Sequence, residues 1–132
     1  MKSHKIAELR ENLRPLKKKY EVIVFGSQVE GGARPNSDID IAVISRENVI
    51  EKSISLQKEL LGKFSSKFDV RVFELFPIYI KISIIDHYEV IFGDVLEISE
   101  YFYTFRKKWD DCKHRILSNQ FTSYQERLSL LK

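Results

Sequence analysis

The chain has 132 residues and a mass of 15.6 kDa, which suits one domain built around a single hydrophobic core. Hydrophobic residues make up 43% of it and charged residues 31%, with a net charge of +3, so the composition excludes disordered and fibrous proteins. We therefore predict that residues 1–132 form one domain that folds by itself.

The first half of the chain is predicted to alternate between helix and strand. Apolar residues recur at helical spacing over 4–18, which predicts an amphipathic helix that ends or bends at Pro15. The β-branched run at 22–25 predicts a buried strand. Turn-forming residues dominate 28–37, although a short helical turn fits its beginning as well. A second strand is predicted over 38–45, with side chains alternating between its two faces.

The second half continues this alternation, with one ambiguous segment. Helical spacing predicts a helix over 47–66, and the residues at 68–75 and 88–93 are typical of strands. Between those strands, the isoleucines of 78–84 alternate as in a strand but also fit a helix that opens at Pro77. Local sequence leaves both alternatives open.

The C-terminal segment is predicted to be a helix with a surplus of aromatic residues. Apolar residues at every third or fourth position predict an amphipathic helix over about 97–117, and the pattern weakens toward residue 132. Residues 101–109 include five aromatic side chains, more than one buried stripe requires. We therefore expect Tyr101 or Tyr103 to face a protein partner or a second copy of this chain, as in a homodimer through this helix.

Membrane insertion and secretion are not expected. The longest apolar-rich stretch, residues 77–85, is interrupted by Lys81, whereas a membrane span needs about 18 or more apolar residues. Residues 1–20 carry charges throughout and do not resemble a secretory signal. The single cysteine, Cys112, excludes an internal disulfide and fits a reducing compartment. The sequence thus predicts a cytoplasmic protein.

A four-residue pattern links the end of the first predicted strand to the start of the second. Gly26 and Ser27 close the apolar strand, and after ten intervening residues Asp38 and Asp40 open the next one. A Gly-Ser turn offers unhindered N–H groups and a hydroxyl to phosphate oxygens. Two carboxylates at positions i and i+2 of a strand lie side by side, where their repulsion is costly unless a cation lies between them. Mg²⁺ suits such a site, because it binds one or two carboxylates and takes phosphate oxygens as further ligands.

The pattern from Gly26-Ser27 to Asp38-Ile39-Asp40 resembles the signature of the DNA polymerase β-like nucleotidyltransferase superfamily. The short chain is similar to the minimal nucleotidyltransferase (MNT) branch. The resemblance covers about residues 6–93 and leaves a helical extension over about 97–132. It implies an α+β (α/β) fold, a small mixed β-sheet flanked by helices with a C-terminal amphipathic helix, and it favours a helix after Pro77.

The resemblance also implies a role for each residue of the pattern. ATP or another nucleoside triphosphate would lie on the turn of Gly26 and Ser27, with Arg34 as a further phosphate contact. The two aspartates would bind two Mg²⁺ ions, and Asp69 would supply the third carboxylate from a neighbouring strand. These groups would help to deprotonate a hydroxyl that attacks the α-phosphate, after which pyrophosphate leaves.

Two departures and two alternatives accompany these assignments. Gln28 and Glu30 stand where many MNT proteins have arginines, which removes cations that would hold the triphosphate. Without the motif, Asp69 fits an acid at a strand edge equally well. Arg34 fits an exposed loop arginine equally well.

Three functions follow as hypotheses. In the first, the chain is an enzyme that transfers AMP from ATP to a hydroxyl of a HEPN-domain protein, as the MNT antitoxin of a HEPN/MNT toxin–antitoxin pair. In the second, it is a catalytically weak or inactive module that neutralises a HEPN-type partner by contact, which Gln28 and Glu30 favour. The third, nucleic-acid binding through the basic ends of the chain, is weaker because the net charge is only +3.

Overall fold

The structure, a computed structural model, describes residues 3–26, 29 and 38–131, with side chains described from 5 to 113 within those ranges. Four helices and four strands lie in this part of the chain. In chain order they are α1 (Ser3–Asn12), β1 (Glu21–Phe25), β2 (Ile39–Ile44), α2 (Ile50–Leu60), β3 (Phe68–Val72), α3 (Ile78–Asp86), β4 (Tyr88–Phe92) and α4 (Val95–Leu131). Two short 3-10 turns, Arg14–Leu16 and Phe73–Leu75, complete the described elements.

The strands form one mixed sheet in the order β3-β2-β1-β4. β1 is antiparallel to both of its neighbours, whereas β2 and β3 are parallel and are joined through α2. The inner strands are covered on both faces, and their central side chains, residues 22–24 and 41–43, are fully buried. This agrees with the uninterrupted apolar runs in the sequence, because a strand with only one covered face would alternate with polar residues.

Successive side chains of the inner strands pack into two hydrophobic clusters, one on each face of the sheet. The first cluster contains Val22, Val24 and Ile41, and α1 and α2 cover it with leucines such as Leu9 and Leu56. The second cluster lies on the opposite face, where α3, α4 and the second 3-10 turn cover it, and it comprises Ile23, Ala42, Ile44, Phe73, Ile84, Ile98 and Phe102. The sheet is therefore the middle layer of three, as predicted for a small mixed sheet flanked by helices.

Several boundaries differ from the sequence-based predictions. α1 ends at Asn12, and a 3-10 turn takes over because Pro15 has no N–H to continue an α-helix. α2 stops at Leu60 instead of residue 66, since Leu61 is extended and Gly62 has a φ of +77°. The predicted strand over 68–75 is wrong beyond Val72, where a 3-10 turn carries Phe73 into the second cluster.

The ambiguous segment is a helix, and the strand alternative for it is wrong. α3 buries Ile82 and Ile84, and Ile84 packs into the second cluster together with residues of the sheet and of α4, contacts that local sequence does not reveal. Pro77 is the N-cap of this helix and not its first residue, so the helix begins at Ile78, one residue later than predicted.

α4 runs from Val95 to Leu131, through the segment of about 97–132 that the resemblance leaves as a helical extension. Tyr103 is 64% exposed, whereas the half-buried Tyr101 donates its hydroxyl proton to Glu74, and a partner at either residue stays a prediction. Homodimerisation through this helix and nucleic-acid binding stay predictions. None of the helices in the described ranges is long and apolar enough to cross a membrane.

Candidate active site

The carboxylates of β2 and β3 meet at one end of the sheet. Because these strands are parallel, both begin at this end, and the register places Asp40 directly opposite Asp69. The two side chains share the face of the second cluster, since their neighbours Ile41 and Val70 belong to the first. Asp38 is exposed and immediately precedes β2. Asp40 and Asp69 thus lie side by side on neighbouring strands, with Asp38 just before the first of them.

Asp40 is the aspartate whose ionisation this environment opposes. Burial raises the pKa of its carboxyl above the ordinary value, and the negative charges of Asp69 and Asp38 raise it further, while the Arg71 guanidinium acts in the opposite direction. A cation placed among these carboxylates would relieve both the desolvation and the repulsion of the ionised form.

Gly26 lies directly beside the Asp40 carboxylate, at the end of β1. Its φ is +77°, and a Cβ atom built on it would overlap Asp40 Oδ2 and lie 3.3 Å from Asp40 Cγ. The Gly26 carbonyl accepts a hydrogen bond from the Val29 N–H at 3.0 Å, so the chain turns immediately after the strand. Only glycine combines this backbone conformation with such a close approach to a carboxylate.

We expect Gly26→Ala to lower the free energy of unfolding by about 2–3 kcal/mol and to displace the Asp40 carboxylate. Gly62→Ala is the matched control, because Gly62 has the same φ of +77° but a Cβ there would meet nothing within 4 Å. The control should cost only about 1 kcal/mol, the strain of the backbone alone. Urea unfolding of both variants measures the difference, and equal losses would contradict a steric conflict with Asp40.

Arg71 is a residue of this site that the sequence analysis missed. Its Nε donates a hydrogen bond to Asp69 Oδ1 at 3.1 Å, and both side chains are more than a third exposed. The signal was present in the sequence, because residues 69 and 71 are two apart on a strand and must share a face. Arg71 supplies the positive charge that Asp69 and Asp40 face in this arrangement.

The other residues of the predicted nucleotide site lie outside the part of the chain that the structure describes. Ser27 and Arg34 lie outside the described residues, as do Gln28 and Glu30. Within the described part of the chain, no three His, Cys, Asp or Glu side chains are grouped closely enough to hold a metal ion. The donor set itself fits a divalent cation, because carboxylate oxygens are the ligands that Mg²⁺ prefers.

Comparison with known proteins shows the family to which this chain belongs. The family model for the nucleotidyltransferase domain matches residues 6–91, so the chain belongs to this family. A protein of Methanocaldococcus jannaschii whose name is protein adenylyltransferase MJ1547 is 41% identical over 115 residues, which cover 87% of this chain and 89% of the relative. These findings confirm that the chain is a nucleotidyltransferase, as its resemblance implied.

Solved structures confirm the fold. A chain in a crystal structure of a toxin–antitoxin with AMP-PNP matches with a TM-score of 0.57 and 19% identity, over 87% of this chain and 98% of the other. A chain in a structure of a tri-AMPylated Shewanella oneidensis HEPN toxin in complex with MNT antitoxin matches with a TM-score of 0.53 and 16% identity, over 91% and 99%. At these identities the likeness concerns the fold.

Proposed function

We propose that this chain transfers AMP from ATP to a hydroxyl group of a HEPN-domain protein in a Mg²⁺-dependent reaction. The observation that carries the proposal is the pairing of Asp40 with Asp69 beside Gly26, in a chain of the nucleotidyltransferase family. The name of the 41% identical relative supports a protein as the acceptor and AMP as the transferred group. The complexes of the structural neighbours support a HEPN partner.

The proposed reaction gives each carboxylate a role. The acceptor oxygen forms a bond to the α-phosphorus, the bond from that phosphorus to the bridging oxygen breaks, and pyrophosphate leaves with the electron pair. Asp69 accepts the hydroxyl proton, and Arg71 orients its carboxylate through the hydrogen bond to Oδ1. Asp38 and Asp40 would hold Mg²⁺, which supplies positive charge against the phosphate oxygens when it is bound.

Transfer of a labelled phosphate tests this proposal. The protein is incubated with ATP labelled at the α-phosphate, Mg²⁺ and lysate of its source organism, alongside the Asp38→Asn, Asp40→Asn double variant. We expect a labelled protein band with the parent chain alone, and mass spectrometry then identifies the acceptor residue. Glu59→Gln, the same change at an exposed position of α2, is the control and should label like the parent. Equal labelling by the double variant would contradict the proposal.

A module that neutralises its partner by contact is the second candidate function. The hydrogen bond from Arg71 to Asp69 favours it, because this carboxylate already has a cationic partner within the chain. In the same experiment, no label together with equal capture of the partner by the parent and the double variant would identify such a module.

A further inference from the structure

A cavity of about 310 Å³ lies beyond the carboxyl end of β2, at the opposite end of that strand from Asp40. It is bounded by the beginning of α2, by α3 and by α4, and the side chains that line it include Ser53, Lys81, Tyr101, Phe105 and Lys108. Its volume is at the lower end of the range of small-molecule sites. The nucleotidyl transfer proposed above uses none of these residues.

The hydroxyl groups around the cavity already have acceptors for their protons. Glu74 is the centre of this network, because it accepts hydrogen bonds from the Ser45 N–H and hydroxyl at 2.9 Å and from the Arg46 N–H at 3.0 Å. The Tyr101 hydroxyl donates to the same carboxylate at 2.6 Å, and burial together with this bond raises the pKa of Tyr101. The Thr104 hydroxyl donates to the Tyr101 carbonyl at 2.7 Å. The Glu74 carboxylate therefore accepts hydrogen bonds from hydroxyl and backbone donors, and its charge is not reserved for an ion pair with a lysine.

Two ammonium groups of the cavity lack such a partner. Lys81 Nζ lies 4.9 Å from the centre of the Phe105 ring, and Lys108 Nζ lies 6.0 Å from the same ring. Among the described residues, neither forms an ion pair with a carboxylate, and Glu47, which also lines the cavity, pairs with Lys52 at 3.9 Å. Burial lowers the pKa of Lys81, and the positive charge of Lys108 lowers it further, although Glu74 opposes this change. Two like charges thus share one aromatic surface inside a cavity.

A larger cavity of about 600 Å³ lies between α1 and β4, and its arginines differ from Lys81 and Lys108 in having partners. Arg10 Nε there donates to the Ile91 carbonyl at 3.0 Å, and Arg14 pairs with Glu11 at 3.9 Å. Its arginines already have a hydrogen-bond acceptor or an ion-pair partner, whereas the two lysines of the smaller cavity lie over aromatic rings and form no ion pair among the described residues.

We propose that the cavity beside Lys81 and Lys108 is a second binding site, for a small organic molecule that carries a phosphate or carboxylate group. Its oxyanion would accept hydrogen bonds from both ammonium groups, and its apolar part would contact Phe105 and Ile50, which also line the cavity. An oxyanion fits because neither ammonium group forms an ion pair with a carboxylate among the described residues.

Titration of the full chain with simple oxyanions tests this site. The amide resonances of the ¹⁵N-labelled protein are followed without Mg²⁺ as inorganic phosphate or citrate is added, with sodium chloride at matched ionic strength as the reference. We expect saturable shifts at residues 48–53 and 101–108 that chloride does not produce. The stronger of the two probes then shows whether the natural ligand carries a phosphate or a carboxylate. Absence of saturable shifts with both oxyanions would overturn the proposal.

Variants of Lys81 separate binding from folding. Lys81→Met keeps an unbranched side chain against the aromatic rings but removes the charge, and it should weaken oxyanion binding about tenfold. Lys81→Arg keeps the charge and should restore most of the affinity. Lys107→Met, at an exposed position of α4 outside the cavity, is the control and should bind like the parent. Unchanged affinity in Lys81→Met would overturn the proposal.

Discussion

Replacing Asp40 by Asn should lower the rate of nucleotidyl transfer by about three orders of magnitude without lowering the melting temperature at pH 7. The rate falls because the amide removes a charged ligand from the proposed Mg²⁺ site. A Mg²⁺ ion bound there would lower the free energy of the transition state by several kcal/mol through its positive charge. The melting temperature holds or rises because the ionised Asp40 carboxylate is partly buried and repelled by Asp69 and Asp38. Opposite effects on activity and stability indicate a residue retained for function.

The stability effect of this replacement depends on pH in a defined direction. The pKa of Asp40 is raised in the folded chain, chiefly by burial, so its ionised form opposes folding above the pKa of the unfolded chain, about 3.9. This cost is fully present above the folded pKa and disappears as the pH falls toward 4. The gain in melting temperature of Asp40→Asn should therefore be largest near pH 7 and shrink toward pH 4.

Thermal melts and α-phosphate transfer assays across this range check both effects. Glu59→Gln again serves as the control, with the rate and the melting temperature of the parent expected throughout. A melting temperature for Asp40→Asn well below the parent at pH 7 would assign Asp40 a structural role instead.

Replacing Phe73 by Ala should lower the free energy of unfolding by about 3–5 kcal/mol. Phe73 is fully buried, and its ring centre lies 4.8 Å from that of Phe102 and 5.4 Å from that of Phe105. It is the contact through which the 3-10 turn after β3 is held against α4. The truncated side chain would leave a cavity lined by aromatic rings that cannot close around alanine. Such a loss is a large fraction of the 5–15 kcal/mol typical of small domains.

Urea unfolding of Phe73→Ala measures this loss as a lower midpoint at an unchanged dependence on urea concentration. The control is Tyr103→Ala, since Tyr103 is an aromatic residue of α4 that is 64% exposed. Its stability should stay within about 0.5 kcal/mol of the parent. A loss below about 1 kcal/mol in Phe73→Ala would show that the second cluster does not depend on this ring.

The strands that carry the site could be predicted because their signals are local. β1 and β2 are apolar on both faces, and the alternation around Asp40 places that carboxylate on one defined face. The same rule would have placed Arg71 beside Asp69 had it been applied to β3. The pairing of β2 with β3 came from the family resemblance, because no local pattern states which strands are neighbours.

The parts that were predicted wrongly depend on contacts between distant residues. Phe73 to Leu75 continue a strand-like composition, but the aromatic residues of α4 draw Phe73 out of the sheet. Arg46, for which no prediction was made, depends on distant contacts in the same way. It adopts a φ of 58° that local sequence disfavours, while its guanidinium donates hydrogen bonds to the Glu21 carboxylate and, at 3.1 Å, to the Glu97 carbonyl. Such positions follow from the assembled fold and not from local propensity.

The place of β1 in the sheet constrains how the chain folds as it is synthesised. β1 can pair with β2 as soon as the ribosome has released residues up to 44, but its other edge pairs with β4, at residues 88–92. Until then, the apolar strand β1 has a row of unpaired N–H and C=O groups, the kind of edge at which nascent chains associate with one another. The sheet is therefore completed only after nearly the whole nucleotidyltransferase segment has left the ribosome.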